Sequence, residues 1–185
     1  MEPISLADER IIAEQLGRRP RGLLGVEHRC SYGYPQVILV HPLSGGAPFP
    51  TTFWLTCPFL VKKISRLEAA GWVKELERRV ERDPPLAASL SMAHWSYIEE
   101  RRRLLTEKER AALAEAGTAD SLLTKGIGGI ADLRHIKCLH LHAAHALARE
   151  NPIGEIVLAM LSRQACPQKT ILCSTARSKL YCTHD

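Results

Sequence analysis

The residues with the most chemistry to offer in this chain of 185 are its six cysteines and eight histidines. Cys138, His142 and His145 stand four and three residues apart, spacings that stack side chains one turn above another on a helix. His135 extends the same stripe. Thiolate with imidazole is a donor set suited to zinc, iron or copper. One helix rarely supplies every ligand of a structural zinc, so further donors are expected elsewhere. Cys30, at the end of a first strand, and Cys57, at the end of a third, are the obvious ones. Cys57 also precedes Pro58 at an expected helix start, where unpaired N–H groups and the helix dipole favour a thiolate. His28 shares a strand face with Cys30. The preferred set is therefore Cys30, Cys57, Cys138 and His145 (or His142), holding zinc, with iron as the alternative metal. On a helical wheel His140 falls on the apolar side and reads as a core histidine. The competing reading is plain packing, because free cysteine is among the most buried residue types.

Weaker signals lie outside this set. Lys125-Gly126-Ile127-Gly128-Gly129 precedes an expected helix start and could present backbone N–H groups to an anion, with Arg29 and Lys137 as accompanying cations. It matches neither the P-loop nor the dinucleotide fingerprint. No G-x-S-x-G, H-E-x-x-H or EF-hand pattern occurs, so no motif names a reaction. Arg18, Arg19 and Arg21 form one basic cluster, and Arg101, Arg102 and Arg103 another. They are candidates for contact with nucleic acid or another anionic partner, or simply solvated charge.

These residues must be positioned by an α+β arrangement, a small antiparallel β-meander packed with several α-helices. Leu6 to Gly17 carries apolar residues at helical spacing. Leu24 to Cys30, Gln36 to Val40 and Thr52 to Thr56 read as three strands, separated by a Gly/Pro turn at 31–35 and a loop at 44–50. From Pro58 helical spacing runs to a break near Gly71, resumes through Val80 and ends at Asp83-Pro84-Pro85. A helical region over 86–115 breaks near Thr106. The site helix is expected from an Asp132 cap to Glu150, followed by a short helix over 153–161. The expected organisation is an N-terminal helix and basic linker (1–21), one domain (22–161) and a C-terminal tail (162–185), with disorder of the tail one expectation that the sequence leaves open.

Composition narrows the setting. A hydrophobic fraction of 45% and a charged fraction of 24% are those of a folded globular chain. No apolar run approaches the roughly 20 residues of a membrane span, and the acidic N-terminus lacks the pattern of a secretory signal. A cytoplasmic address with no membrane partner is the expectation. In a reducing compartment six cysteines do not suggest a disulfide framework. The net charge of +5 permits an anionic ligand or nucleic acid without requiring one.

Taken together, His28-Arg29-Cys30, Pro48-Phe49-Pro50-Thr51, Thr56-Cys57-Pro58, Leu67-Glu68, Lys137-Cys138-Leu139-His140, Ala144-His145 and Asn151-Pro152 resemble the bacterial domain-of-unknown-function family number five hundred and one. The resemblance runs from about Gly17 to Leu161. It implies no reaction. Members are short proteins often encoded beside a septum-formation initiator and an exopolyphosphatase, which implies a cell-division or polyphosphate context by association alone. The family pattern includes His28, Cys30, Cys57, Cys138, His140 and His145 but not His135 or His142, which raises His140 against the wheel. Cys166, Cys173 and Cys182 fall outside it and read as tail cysteines. Three functions follow as expectations. The first is a zinc protein, structural or, with an open coordination position, hydrolytic toward a phosphoester or polyphosphate. The second is a thiol enzyme with Cys57 or Cys138 as nucleophile and His140 or His145 as base. The third is a nucleic-acid- or protein-binding module using the arginine clusters.

Overall fold

The computed structural model describes residues 2–174; Cys182 lies outside them. Helix α1 (Leu6–Leu16) starts at a capping box, in which Ser5 and Asp8 each accept the other's backbone N–H, and stops at Gly17, whose φ of 69° is readily adopted only by glycine. Strands β1 (Leu23–Arg29), β2 (Pro35–Val40) and β5 (Phe53–Leu55) form an antiparallel sheet in the order β1-β2-β5. The connection between β2 and β5 carries a small hairpin, β3 (Leu43–Ser44) with β4 (Ala47–Pro48), where a plain loop was expected.

Strand β2 is buried on both faces, which is why its sequence is continuously apolar after Gln36. Ile38 and Val40 join Val26 and the fully buried Ile12 of α1 on one face. Val37 and Leu39 join Phe53 and Leu55 on the other, inside the main core. The N-terminal helix is thus half of the packing around the sheet. Register shifts in β1 break the expected alternation of Leu24, Val26, His28 and Cys30.

The helices cover the second face. They are α2 (Pro58–Ala69), α3 (Trp72–Arg82), α4 (Pro84–Arg103), α5 (Glu107–Glu115), the short α6 (Asp120–Leu123), α7 (Leu139–Ala148) and α8 (Pro152–Met160). Gly71, at φ 85°, makes the break between α2 and α3. Thr106 opens α5 with a second capping box. The sheet ends on α4, where the Tyr97 hydroxyl accepts from the backbone N–H of Thr52 (2.6 Å) and of Phe53 (3.3 Å). Arg101 is buried completely, and its guanidinium donates to the carbonyls of Leu122 (2.6 Å), Pro50 (3.1 Å) and Lys125. It ties the segment before β5 to the end of α6 and the residues that follow it, and is no part of an exposed basic cluster. Among the described residues no helix is long and apolar enough to cross a membrane.

The largest departure from expectation is the site helix. It begins at Leu139, not Asp132, with Cys138 as its N-cap residue. Two carboxylates intercept the backbone upstream. Glu77 accepts from Ile136 N–H (3.2 Å), and Glu68 accepts from Leu139 N–H (2.6 Å). A turn made by Asp132, which accepts from Arg134 N–H, precedes them. The periodicity over 132–138 is real, but tertiary hydrogen bonds to side chains of α2 and α3 replace the helical ladder there.

Candidate functional site

Because Cys138 stands outside α7, the stripe Cys138–His142–His145 does not exist as a surface. The structure distributes the expected donors over three places.

The first place is the start of α7. Glu68, near the end of α2, accepts from both the Leu139 N–H and His140 Nδ1, the latter at 3.0 Å. His140 Nε2 lies 3.1 Å from the Val61 carbonyl and 3.3 Å from Ser65 Oγ. Burial disfavours a charge on this ring. The Cys138 side chain, the Val61 carbonyl and the Glu68 carboxylate outweigh it and raise His140 to about 9. The ring is therefore an imidazolium at neutral pH, with an acceptor on each nitrogen. Glu68, Cys138 and His140 each place a ligand atom within 4.8 Å of the other two, and all three are half-buried. Among the described residues no other three metal-capable side chains meet that distance. The helical wheel misplaced His140 because it assumed the helix ran through 132–138; as the second residue of α7 the ring turns toward α2.

The second place is the core. His142 and His145 are fully buried, together with His94 of α4 and Asn151. Gly154 N–H donates to Asn151 Oδ1 (2.8 Å), which fixes the amide. Asn151 Nδ2 then donates to Nδ1 of His142 and of His145, at 3.2 Å each, and Ile127 N–H donates to His94 Nδ1 (2.9 Å). The Asn151 amide also places Oδ1 3.3 Å from His142 Nδ1, an acceptor for that nitrogen, whereas His94 and His145 accept at Nδ1 and carry the proton of the neutral ring on Nε2. Loss of solvent lowers His94 to about 4. It lowers His142 to about 3, with help from the charges of His94 and His145, and His145 to about 3, with help from Arg149 and His94. Asn151 Nδ2 on His145 Nδ1 is the reverse of the outward N–H of a metal-bound histidine. His145 packs instead between Phe53 and Tyr97, with ring centroids 5.3 and 5.1 Å away.

The third place is the end of the sheet where β2 begins, which holds Cys30 and Cys57. Cys57 is the N-cap of α2, as its position before Pro58 implies. Burial nevertheless pushes its thiol up, outweighing the N–H groups of the helix start. The expected set of Cys30, Cys57, Cys138 and His145 is thus not gathered. His28 pairs with Val37 in the sheet, and its Nδ1 is buried.

Of the weaker anion candidates, Lys125, Arg29 and the Gly126 and Gly129 N–H groups have partners within the protein. In the glycine loop Gly126 N–H donates to the Ile130 carbonyl, Gly129 N–H to the Gly126 carbonyl and Ile127 N–H to His94. Lys125 pairs with Asp120 at 3.0 Å. Arg29 is clamped by Asp8 (2.7 Å) and Glu2 (2.6 Å). Gly128 packs closely against Lys137. Sequence reasoning missed Glu68, His94 and Asn151. Glu68 and Asn151 were visible only as parts of the Leu67-Glu68 and Asn151-Pro152 motifs, and His94 gave no signal.

Neither the curated proteins nor the solved structures contain a match to this chain. A family model described as "Protein of unknown function (DUF501)" matches residues 26–159, well over half of the chain, and spans Glu68, Cys138, His140 and the buried histidines. The chain belongs to the DUF501 family.

Proposed function

We propose that the protein binds a divalent thiophilic metal, zinc foremost, at Glu68, Cys138 and His140, and that this centre is catalytic and hydrolytic. The carrying observation is the mutual approach of one carboxylate, one thiol and one imidazole within 4.8 Å at a half-buried position. Three protein ligands leave a coordination position open, the arrangement of catalytic rather than structural zinc. A zinc ion held there would acidify a bound water for attack on an ester or phosphoester. The chain's own residues set the conditions. Glu68 is fixed by the Leu139 N–H and so holds the His140 ring in place. His140 must release a proton to become a ligand, so metal affinity rises with pH through the neutral range. The test is elemental analysis of purified full-length protein beside Cys138→Ser and His140→Ala. About one equivalent of metal lost in both variants supports the reading, and equal metal content in all three removes it.

A second reading is favoured by the double hydrogen bonding of His140. A ring charged at neutral pH beside Cys138 can protonate a leaving group as the sulfur attacks, in the manner of a cysteine–histidine enzyme. Cys57 is a poorer nucleophile than Cys138 because of its burial. Under this reading metal-free Cys138 reacts with iodoacetamide much faster than Cys30 or Cys57 at pH 7, and uniform labelling counts against it.

A further inference from the structure

Four other thiols converge at the end of the sheet where β2 begins. Cys30 follows β1, and its N–H donates to the Tyr34 carbonyl (2.9 Å). Cys57 opens α2 and is 5% exposed. Cys166 and Cys173 come from the segment after α8, beyond the residues the family model matches. This segment returns to the sheet through specific contacts. The Tyr32 hydroxyl donates to the Cys166 carbonyl (3.0 Å), and Gln36 Nε2 donates to the Gln164 carbonyl (2.8 Å). Cys173, 8% exposed, packs with Ile11 and Tyr34, and Cys30 lies against the same cluster.

Two side-chain amides are aimed at the sulfurs. Gln36 Nε2, itself buried, lies 3.6 Å from Cys57 Sγ, and Gln15 Nε2 lies 3.3 Å from Cys173 Sγ. Donors of this kind orient and stabilise thiolate ligands in metal sites. The thiols are also near enough to oppose one another's ionisation. Cys173 feels Cys57, Cys166 and Cys30, and Cys57 feels Cys166. A set made only of sulfur, from three separate stretches of chain, is the chemistry that selects zinc over harder cations.

We propose that Cys30, Cys57, Cys166 and Cys173 bind one zinc ion as a closed four-thiolate site that fastens residues 162–174 to the sheet. No three of these sulfurs lie within 4.8 Å of one another, so binding draws them toward Zn–S distances of about 2.3 Å through side-chain rotation and movement of the C-terminal segment. Four thiols release four protons and leave a complex of charge −2, which the Gln15 and Gln36 amides solvate. The site is distinct from the Glu68 centre in donors and location. With its four positions filled by protein, its role is to hold structure.

The test uses the reduced full-length chain, with each cysteine's alkylation rate followed by peptide mass spectrometry with and without zinc. Cys30 and Cys166, both half-buried, carry the readout because burial already slows the other two. Zinc is expected to slow Cys30 and Cys166 together at least tenfold, with reversal by a chelator. A Cys138→Ser chain should keep this protection, which separates failure here from failure of the Glu68 centre. Cys166→Ser, a change at a half-buried position, should lose one equivalent of zinc and open 162–174 to protease. Absence of joint protection overturns the proposal. So does zinc bound equally by the Cys166→Ser chain, or a disulfide among the four in protein isolated without zinc.

Discussion

Three neutral histidines in the core should make the fold acid-labile, and the size of the effect can be worked out. An unfolded chain titrates its histidines near 6.5, whereas His94, His142 and His145 are held at about 4, 3 and 3. Lowered values mean that the unfolded state binds more protons as pH falls, so stability is full above about 6.5 and declines toward the folded values. Between pH 7 and pH 5 each ring costs roughly 2 kcal/mol, or about 6 kcal/mol for the three. His140 works in the opposite direction. Its value is raised, so its stabilisation is complete below about 6.5 and lost as pH climbs through 9; over the pH 7 to 5 interval it returns under about 1 kcal/mol. The net loss, about 5 kcal/mol, is comparable to the whole stability of many domains. Urea unfolding followed by tryptophan fluorescence at pH 7, 6 and 5 measures it. Replacing His94 by Gln should reduce the pH slope by about a third, whatever it does to stability at pH 7. A stability unchanged within about 1 kcal/mol from pH 7 to 5 would refute the reasoning. It would mean that the rings are solvated or charged in the native state.

Other expectations follow from single contacts. Glu68→Gln keeps an acceptor for the Leu139 N–H but removes the charge, so the His140 titration in the metal-free protein should move down from about 9, as read by NMR. Metal affinity should fall roughly 10–100-fold if Glu68 is a ligand or orients one. Arg101→Met strands the carbonyls of Pro50, Leu122 and Lys125 and should cost about 3 kcal/mol or more in chemical denaturation. Gly154→Ala would place a methyl group against the His142 carbonyl at the closest approach of α7 and α8. A loss of about 1–3 kcal/mol is expected there, and wild-type stability in that variant would mean that the two helices can separate freely.

The elements that could be read from sequence are those governed by local chemistry. The Gly17 stop, the Pro58 helix start and the breaks at Gly71 and near Thr106 each depend on a few neighbouring residues, and each element appears within a residue or two of its expected bounds. The β-meander was legible because β2 is continuously apolar from Val37 to Val40 and its neighbours are bounded by Gly/Pro turns. The site was less legible for a physical reason. Asp132 does initiate a turn, but the backbone N–H groups of Ile136 and Leu139 are satisfied by Glu77 and Glu68 from distant helices, and no periodicity in 132–138 records that. Once the helix starts at Leu139, the wheel rotates out of use. His142 and His145 then become core groups tied to Asn151, and His140 becomes the partner of Glu68. Cys166 and Cys173 lie in a segment without hydrophobic pattern, and their attachment to the sheet rests on Gln36 and Tyr32, polar residues more than a hundred positions away.

At the Glu68 centre a proton and a metal compete for one ring, and magnitudes decide which prevails. Holding His140 at about 9 means that a metal binding at pH 7 must expel a proton retained by two pH units, a cost of about 3 kcal/mol. Zinc bound by thiolate and imidazole in small folded sites releases roughly 10–16 kcal/mol at neutral pH. A set of three ligands yields less than four, yet the proton is the weaker competitor by a wide margin. Near pH 5 the same proton costs about 5 kcal/mol. Metal occupancy should therefore survive dialysis at pH 8 and collapse between pH 6 and 5. Elemental analysis of samples equilibrated across that range checks it. Occupancy independent of pH would show that His140 is not a ligand. The charged ring beside Cys138 would then be left to proton transfer, the role that the thiol chemistry requires.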